Sequence, residues 1–202
     1  LMNSVTVLSG ARIGNGNTIF PGAVISAVPQ DLKFRGEETT AIVGDNNRIR
    51  ENVTINRGTA AKGRTIVGSD NLLMEGVHVA HDVTLGSGCI IGNSTKIAGE
   101  VIIDDYAVIS ASVLIHQFCH VGGYVMIARE PAAYQGLNIV GLRRHGFSNE
   151  TIENIHEAYR MLYQSGKLRS ESLEEIKKTL PMSKEIVYII NFVETAKRGI
   201  IK

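Results

Sequence analysis

The sequence predicts a mainly β protein with a C-terminal α part: a parallel β-helix of six-residue repeats followed by a small helical domain. Three observations support this prediction. An aliphatic residue recurs at every sixth position from Val67 to Ile127, the apolar spacing becomes helical after about residue 146, and glycine is abundant, at 21 of 202 residues. Hydrophobic residues make up 44% of the chain and aromatic residues only 5%, so the core must consist of aliphatic side chains.

The six-residue period is unbroken over a long stretch. Its aliphatic positions are Val67, Leu73, Val79, Leu85, Ile91, Ile97, Ile103, Ile109, Ile115, Val121 and Ile127. The same frame occurs earlier, at Leu1, Val7, Ile13, Ile19, Ile25, Val43, Ile49 and Ile55. An amphipathic helix would need spacings of 3 and 4, and a single strand a spacing of 2. A period of six fits a triangular coil, in which three hexapeptides advance the chain by one strand spacing, roughly 4.8 Å.

Within each hexapeptide the first and fifth residues are predicted to face inward, because the fifth is mostly small. Glycine or asparagine follows many aliphatic positions: Gly14, Gly44, Asn46, Gly68, Gly86, Gly92 and Gly122. We expect these residues to form corners, where positive φ is common. Residues 30–41 and 58–65 are polar and break the frame. They are predicted to be excursions from the coil, and such excursions usually carry binding.

The C-terminal segment shows helical spacing, so we place the β-helix at residues 1–146 and a helical domain at 147–202. Ser148 is a predicted N-cap of a helix that ends before Gly166. The further predicted helix starts are Ser172, with Glu175 completing a capping box, and Ser183.

Composition excludes several classes of protein. A net charge of +1 argues against a dedicated nucleic-acid binder. No run of about 18 apolar residues is present, so no membrane span is predicted. No signal peptide is recognisable, although the chain opens at Leu1, and we expect a cytoplasmic location. Cys89 and Cys119 are too few for a disulfide framework and are expected to be buried, reduced residues.

The repeat also places chemical groups in three dimensions, because residues 18 apart stack in neighbouring coils. One outer face is predicted to carry a column: His81 with Asp82, then Gly99 with Glu100, then His116 with Gln117, with His78 at the preceding corner. A histidine beside a carboxylate, about 5 Å below a glycine amide, suits acyl transfer. The imidazole can accept a hydroxyl proton while the amide N–H receives the developing oxyanion. Alternatively, the histidines are solvated surface residues and the glycine is a plain corner residue.

Five segments resemble one family in order and spacing: VPQDLKFRGEETT, NNRIRENVTINRGT, GSDNLLMEGVHVAHD, IHQFC and NIVGLRRHGFSNE. They are similar to the UDP-N-acetylglucosamine O-acyltransferases, which catalyse the first step of lipid A biosynthesis. The resemblance covers nearly the whole chain. It implies a left-handed parallel β-helix, a homotrimer with active sites between subunits, an acyl carrier protein as acyl donor, and neither a cofactor nor a metal ion.

The resemblance also implies roles for individual residues. The general base falls on His81, its orienting carboxylate on Asp82 and the backbone donor to the thioester oxygen on Gly99. The implied substrate-binding residues are Asp31 and Lys33 for the sugar, His78, His116 and Gln117 for the nucleotide-sugar and acyl site, Asn138 near the nucleotide end, and Arg144 for phosphate.

The chain departs from the family pattern at several places. Glu100 stands where the family often has a histidine, and His145 replaces one of two arginines. The family has further coils before Leu1. It also has about one more coil, ending in a Pro-Pro-Tyr turn, near residues 127–128. This segment is either deleted or omitted from the sequence, and we favour omission. Because that region helps to set acyl-chain length, the preferred chain length stays open.

Three other functions are compatible with the coil. A related sugar-nucleotide acyltransferase would use an amino acceptor or another donor. A zinc hydratase of the γ-carbonic-anhydrase type would use histidines such as His78, His81, His116 and His120. A non-catalytic scaffold would use none of them.

Basic residues in and before the helical tail suggest a partner. They are Arg129, Arg143, Arg144, His145, Arg160, Lys167, Arg169, Lys197 and Arg198. They form either a solvated helix surface, since glutamates are interspersed, or a docking patch for the acidic acyl carrier protein.

Overall fold

The computed structural model of the chain describes residues 1–128, 133–196 and 200, with only the backbone for 133–135. The chain divides into two compact units, residues 1–135 and 136–202. The first unit is a coil of short strands, and the described part of the second carries four helices. The division precedes the boundary expected at 146, because a strand and a short helix come before the first segment with a clear helical spacing.

The strands of the coil form three sheets, and the strands from β1 to β18 occupy these sheets in turn. The first sheet contains β1 (Thr6–Val7), β4 (Val24–Ala27), β7 (Thr54–Asn56), β10 (His78–Val79), β13 (Lys96–Ile97) and β16 (Leu114–Ile115). The second contains β2 (Ala11–Ile13), β5 (Thr40–Val43), β8 (Arg64–Val67), β11 (Thr84–Leu85), β14 (Ile102–Ile103) and β17 (His120–Val121). The third contains β3 (Thr18–Ile19), β6 (Arg48–Ile49), β9 (Leu72–Leu73), β12 (Ile90–Ile91), β15 (Val108–Ile109), β18 (Val125–Ala128) and β19 (Ala133–Leu137).

The strand register confirms the predicted coil. From β8 onward, parallel neighbours within a sheet lie 18 residues apart, as in the pairing of His78 with Lys96. Backbone N–H groups of one coil donate to carbonyls of the next, for example from Ala80 to Ile97 at 3.0 Å. Each coil is therefore one strand spacing above the last. Strand β18 runs without a break through residues 127–128, where a missing segment was predicted, and residues 129–132 lie outside the described part of the chain.

The two predicted excursions are present. Ala11 pairs with Ala41, 30 residues later, and Thr40 pairs with Arg64, 24 residues later. The additional residues form a first excursion (residues 28–39) between β4 and β5 and a second excursion (residues 57–63) between β7 and β8. Both extra lengths are multiples of six, so the aliphatic frame resumes after each.

The interior of the coil is aliphatic, as predicted. Ile91 and Ile97 are fully buried, and the other first-position residues from Val67 to Ile127 are at most 6% exposed. Val101, in a fifth position, is also fully buried. Cys89 is buried among them, and burial raises the pKa of its thiol to about 12. Cys119 is only partly buried, contrary to the expectation for it. Neither cysteine is in a disulfide.

The φ angles at the corners show that the predicted role of the glycines was wrong. From Asp70 to Tyr124, the fourth residue of each hexapeptide has a φ between 56 and 68°, and most of these residues are not glycine. Gly68, Gly86 and Gly92, in second positions, have no positive φ. A Cβ on Gly68 would lie 2.6 Å from the carbonyl oxygen of Gly86 in the coil above. These glycines therefore allow the coils to approach closely and do not supply positive φ.

The helical unit agrees with the sequence in part. The helices are α1 (Ile139–Arg144), α2 (Asn149–Tyr163), α3 (Arg169–Thr179) and α4 (Lys184–Thr195). Ser148 and Ser183 are N-caps, as predicted. The capping box at Ser172 was wrong, because α3 begins three residues earlier and the Ser172 hydroxyl donates to the carbonyl of Met161 at 2.9 Å. Among the described residues, no helix is long and apolar enough to cross a membrane.

Candidate active site

Both excursions and the predicted catalytic residues lie along one edge of the coil, between its first and second sheets. We call this edge the excursion corner; it comprises the first excursion, the second excursion, His81–Asp82, Gly99–Glu100 and His116–Phe118 in ascending order. The Glu100 N–H donates to the His81 carbonyl at 3.1 Å, and the Phe118 N–H to the Gly99 carbonyl at 3.3 Å. These bonds stack the column in the predicted order.

The side chains of His81 and Asp82 are hydrogen-bonded to each other. Nδ1 of His81 lies 2.8 Å from Oδ2 of Asp82. The Asp82 side chain is completely buried, whereas that of His81 is 17% exposed. An ionised carboxylate can only accept hydrogen bonds, so Nδ1 carries the proton and the lone pair of the neutral ring is on Nε2. Nε2, the ring nitrogen that is not bonded to Asp82, is therefore the basic one.

The backbone of Asp82 has the conformation of the other corners. Its φ is +60°, in the left-handed region that aspartate tolerates better than most residues.

The second excursion supplies partners of Asp82 that sequence reasoning missed. The Thr59 N–H donates to Oδ1 at 3.0 Å and the Thr59 hydroxyl donates to Oδ2 at 2.6 Å. The Thr65 hydroxyl accepts from the Asp82 N–H at 2.8 Å, and Nζ of Lys62 donates to the Asp82 carbonyl at 3.1 Å. The polar composition of residues 58–65 indicated a binding loop, but no spacing rule connected these residues to Asp82.

Gly99 lies against the His81 ring, close to the edge that does not face Asp82. A Cβ built on Gly99 would be 2.6 Å from Cε1 and 2.7 Å from Nε2 of His81. In the described part of the coil, the Gly99 N–H has no hydrogen-bond acceptor. Nε2 of His81 and the Gly99 N–H, for which the described part of the coil supplies no acceptor, thus lie in adjacent coils.

His78 is held in the neighbouring strand. Its Nδ1 lies 2.6 Å from the Thr54 hydroxyl, and Lys96 is its partner in the coil above. Burial is the main cause that lowers the pKa of His78, and the charges of Lys96 and His81 lower it further. His78 is therefore a neutral imidazole at neutral pH.

The other predicted residues of the excursion corner are more exposed. Oδ1 of Asp31 accepts from the Lys33 N–H at 2.9 Å, which forms a tight turn, and the Lys33 side chain is exposed. His116 and Gln117 are exposed at the upper end of the column. The structure thus brings Asp31, Lys33, His116 and Gln117 to the same edge as His81 without burying them.

Asn138 and Arg144 belong to the second unit. The Asn138 side chain caps α1 by accepting from the Gly141 N–H at 3.0 Å, and Arg144 is exposed in the last turn of that helix. Asn138 thus has a structural role in capping α1, independent of the nucleotide-binding role that the resemblance implies.

The described residues contain no cluster of three or more histidine, cysteine or acidic side chains that could hold a metal ion. The groups at the corner are an imidazole, a buried carboxylate and a backbone N–H donor. A coil of hexapeptides that presents these groups together defines the class of hexapeptide-repeat acyltransferases.

Comparison with known proteins narrows this class. A family model described as "Udp N-acetylglucosamine O-acyltransferase; Domain 2" matches residues 121–201, and one described as "Bacterial transferase hexapeptide (six repeats)" matches residues 64–99. The chain is similar to the UDP-N-acetylglucosamine acyltransferase structure from Bacteroides fragilis 9343, with 63% identity and a TM-score of 0.92, over 100% of this chain and 85% of that one. It is also similar to the Francisella novicida enzyme, with 31% identity and a TM-score of 0.83, over 100% and 91% of the two chains. The Moraxella catarrhalis RH4 enzyme has 31% identity and a TM-score of 0.79, over 100% and 99%.

The chain belongs to the UDP-N-acetylglucosamine acyltransferase family. It is an acyltransferase, and its coil is the left-handed parallel β-helix of that family. These findings confirm the resemblance inferred from the sequence motifs.

Proposed function

We propose that the chain transfers a (3R)-3-hydroxyacyl group from acyl carrier protein to the 3-hydroxyl of UDP-N-acetylglucosamine, the first step of lipid A biosynthesis. The observation that carries this proposal is the orientation of His81. Its Nδ1 is bonded to a buried carboxylate at 2.8 Å, and its Nε2 faces Gly99. Family membership supports the choice of acceptor.

In the proposed reaction, Nε2 of His81 takes the proton of the sugar 3-hydroxyl as the oxygen attacks the thioester carbonyl. The new C–O bond converts the carbonyl to a tetrahedral oxyanion, which accepts a hydrogen bond from the Gly99 N–H. Collapse of this intermediate breaks the C–S bond, and the leaving thiolate recovers the proton from Nε2. Asp82 stabilises the transient imidazolium.

The residues along the corner suit binding of the acceptor. Asp31 and Lys33 on the first excursion are proposed to contact the sugar, and the pKa of His78 is lowered by burial, which supports its role as a neutral hydrogen-bonding group. His116 and Gln117 extend the column above Gly99, where the acyl group is bound in this proposal. Arg144 and Asn138 are proposed to bind the phosphates and the nucleotide end.

The proposal includes a homotrimer with active sites between subunits. One outward column of the coil is apolar and not fully buried in the single chain. On the third sheet it consists of Leu72, Ile90, Val108 and Met126, which follow one another from coil to coil. Contiguous apolar surface of this kind supports association with further copies of the chain.

The proposed donor is an acyl carrier protein, and the exposed Arg143, Arg144 and Arg169 support its docking. Two other members of the basic patch are less available: Arg160 is paired with Glu157, and Lys167 with Glu175 at 2.7 Å. Arg129, Lys197 and Arg198 lie outside the described residues. The proposal also includes a cytoplasmic location, which agrees with two free cysteines.

The test is mass spectrometry of the product formed from UDP-N-acetylglucosamine and a panel of 3-hydroxyacyl carrier proteins. We expect one hydroxyacyl group attached through an ester that mild alkali cleaves. An alkali-resistant amide would support the alternative with an amino acceptor. Absence of any product, with stoichiometric zinc in the purified protein, would overturn the proposal in favour of a hydratase.

A further inference from the structure

The carboxylate of Asp82 is held by Thr59 of the second excursion and by its neighbour His81. Thr59 donates to both of its oxygens, through the N–H to Oδ1 at 3.0 Å and through the hydroxyl to Oδ2 at 2.6 Å. Thr59 is itself only 6% exposed, and Asp82 is fully buried. A buried ionised carboxylate is unfavourable unless such donors compensate its lost hydration.

We propose that Thr59 is a positioning residue for the catalytic pair, an inference that rests on the proposed role of His81 as general base. The hydroxyl of Thr59 and Nδ1 of His81 approach the same oxygen, Oδ2 of Asp82, at 2.6 and 2.8 Å. Each carboxylate oxygen has about two lone-pair directions. Because the hydroxyl occupies one of them, the imidazole must approach along the other.

The hydrogen bonds of Thr59 fix the position of the carboxylate and, through it, the orientation of the His81 ring. The direction of the Nδ1–Oδ2 bond determines how the ring lies under Gly99, and hence where Nε2 meets the acceptor hydroxyl. Without the Thr59 donor the imidazole has no fixed direction of approach to Oδ2, so Nε2 would be in line with the acceptor hydroxyl less often.

Three variants separate this role from a loss of stability. Thr59→Val removes the hydroxyl while keeping the shape and the N–H, and Thr59→Ser keeps the hydroxyl. Thr95→Val is a matched control inside the coil: Thr95 is fully buried, and its hydroxyl donates to the Ser110 carbonyl at 2.8 Å. All three are compared with the unmodified chain in the pH dependence of kcat/KM, with UDP-N-acetylglucosamine and a 3-hydroxyacyl carrier protein.

For Thr59→Val we expect kcat to fall about 10- to 100-fold, the range for losing a hydrogen bond to a charged group, with little change in the KM of the nucleotide sugar. Thr59→Ser should restore kcat, and Thr95→Val should lower the melting temperature without lowering kcat.

The inference is overturned if Thr59→Val keeps the unmodified turnover at every pH measured, or if its turnover falls and serine does not restore it. Assay of His81→Ala beside these variants distinguishes a failure of the proposed base from a failure of the proposed positioning role of Thr59. Full activity of His81→Ala would refute the proposed base. An inactive His81→Ala with an unaffected Thr59→Val would refute only the positioning role.

Discussion

The imidazole ring of His81 lies directly below Gly99, so close that a single methyl group on Gly99 would meet the ring. The nearest atoms would be Cε1 at 2.6 Å and Nε2 at 2.7 Å, well inside van der Waals contact. Gly99 has no positive φ, so glycine is needed here for space and not for backbone conformation. The His81 ring is thus packed between the Asp82 carboxylate and the coil above.

Gly99→Ala should therefore reduce activity by displacing the ring. We expect kcat to fall by about 10²-fold, because a misplacement of about 1 Å at a reacting group has this effect. The measurement is steady-state kinetics with both substrates. Gly76→Asn is the control: Gly76 has a φ of +68°, and Asn46 and Asn52 adopt similar values at equivalent corners. Normal turnover in Gly99→Ala would show that the ring need not lie where the structure has it.

His81→Ala tests the base itself. We expect kcat to fall by about 10²–10⁴-fold with little change in nucleotide-sugar binding, because proton removal contributes to the transition state and not to the ground state. Binding is measured by calorimetry and turnover by product formation. His156→Ala, on the exposed face of α2, should behave like the unmodified chain. A variant lacking His81 with near-normal turnover would remove this residue from the mechanism.

Protonation of His78 should destabilise the folded chain as the pH falls. Its pKa in the folded chain is below the ordinary 6.5, first because of burial and then because of Lys96 and His81. Between the two values the unfolded chain binds more protons, so this contribution to stability is complete above about pH 6.5 and is lost below it. Urea unfolding across this range should show a steeper loss for the unmodified chain than for His78→Asn.

The charge of Lys96 provides a direct check on that cause. Replacement by methionine removes a nearby positive charge, so the pKa of His78 should rise when it is followed by NMR titration. An unchanged titration would leave burial and the charge of His81 as the causes.

Assembly is tested at the apolar column of the third sheet. Ile90 is 37% exposed in the single chain and faces outward from β12. Ile90→Asp should yield monomers in sedimentation experiments and abolish activity, because sites between subunits are lost. Ser170→Asp, exposed on α3, should remain a trimer. A fully active monomer would refute the shared site.

Docking of the donor should depend on salt. Raising the salt from about 50 to 500 mM should increase the KM of the acyl carrier protein, since exposed charges are then screened over a shorter distance. Arg169→Glu should have the same effect and leave the KM of UDP-N-acetylglucosamine nearly unchanged. Charge reversal at Arg160 or Lys167 should have a smaller effect, because each already pairs with a glutamate. An acyl-pantetheine donor that works equally well at all salt concentrations would contradict protein docking.

The period of six was sufficient to predict the coil, its inward residues and the position of Gly99 above His81. This was possible because strand register converts sequence spacing directly into distance. The same reasoning could not find Thr59, since the path of an excursion is not determined by the frame. It also missed α1, whose six residues are too few for a helical period, and it misplaced the start of α3, where Ser172 bonds to another helix.

The excursions have a consequence for engineering the protein. Across both of them the coil resumes in register, and Val43 pairs with Val67 despite the intervening loop. Lengthening a loop whose ends are already fixed costs little, about 0.6 kcal/mol for each doubling. Foreign peptides grafted into the exposed tip at Ala60–Ala61 should therefore leave the ladder of coils intact. A solenoid of this kind can gain new binding segments along one edge while its interior stays unchanged.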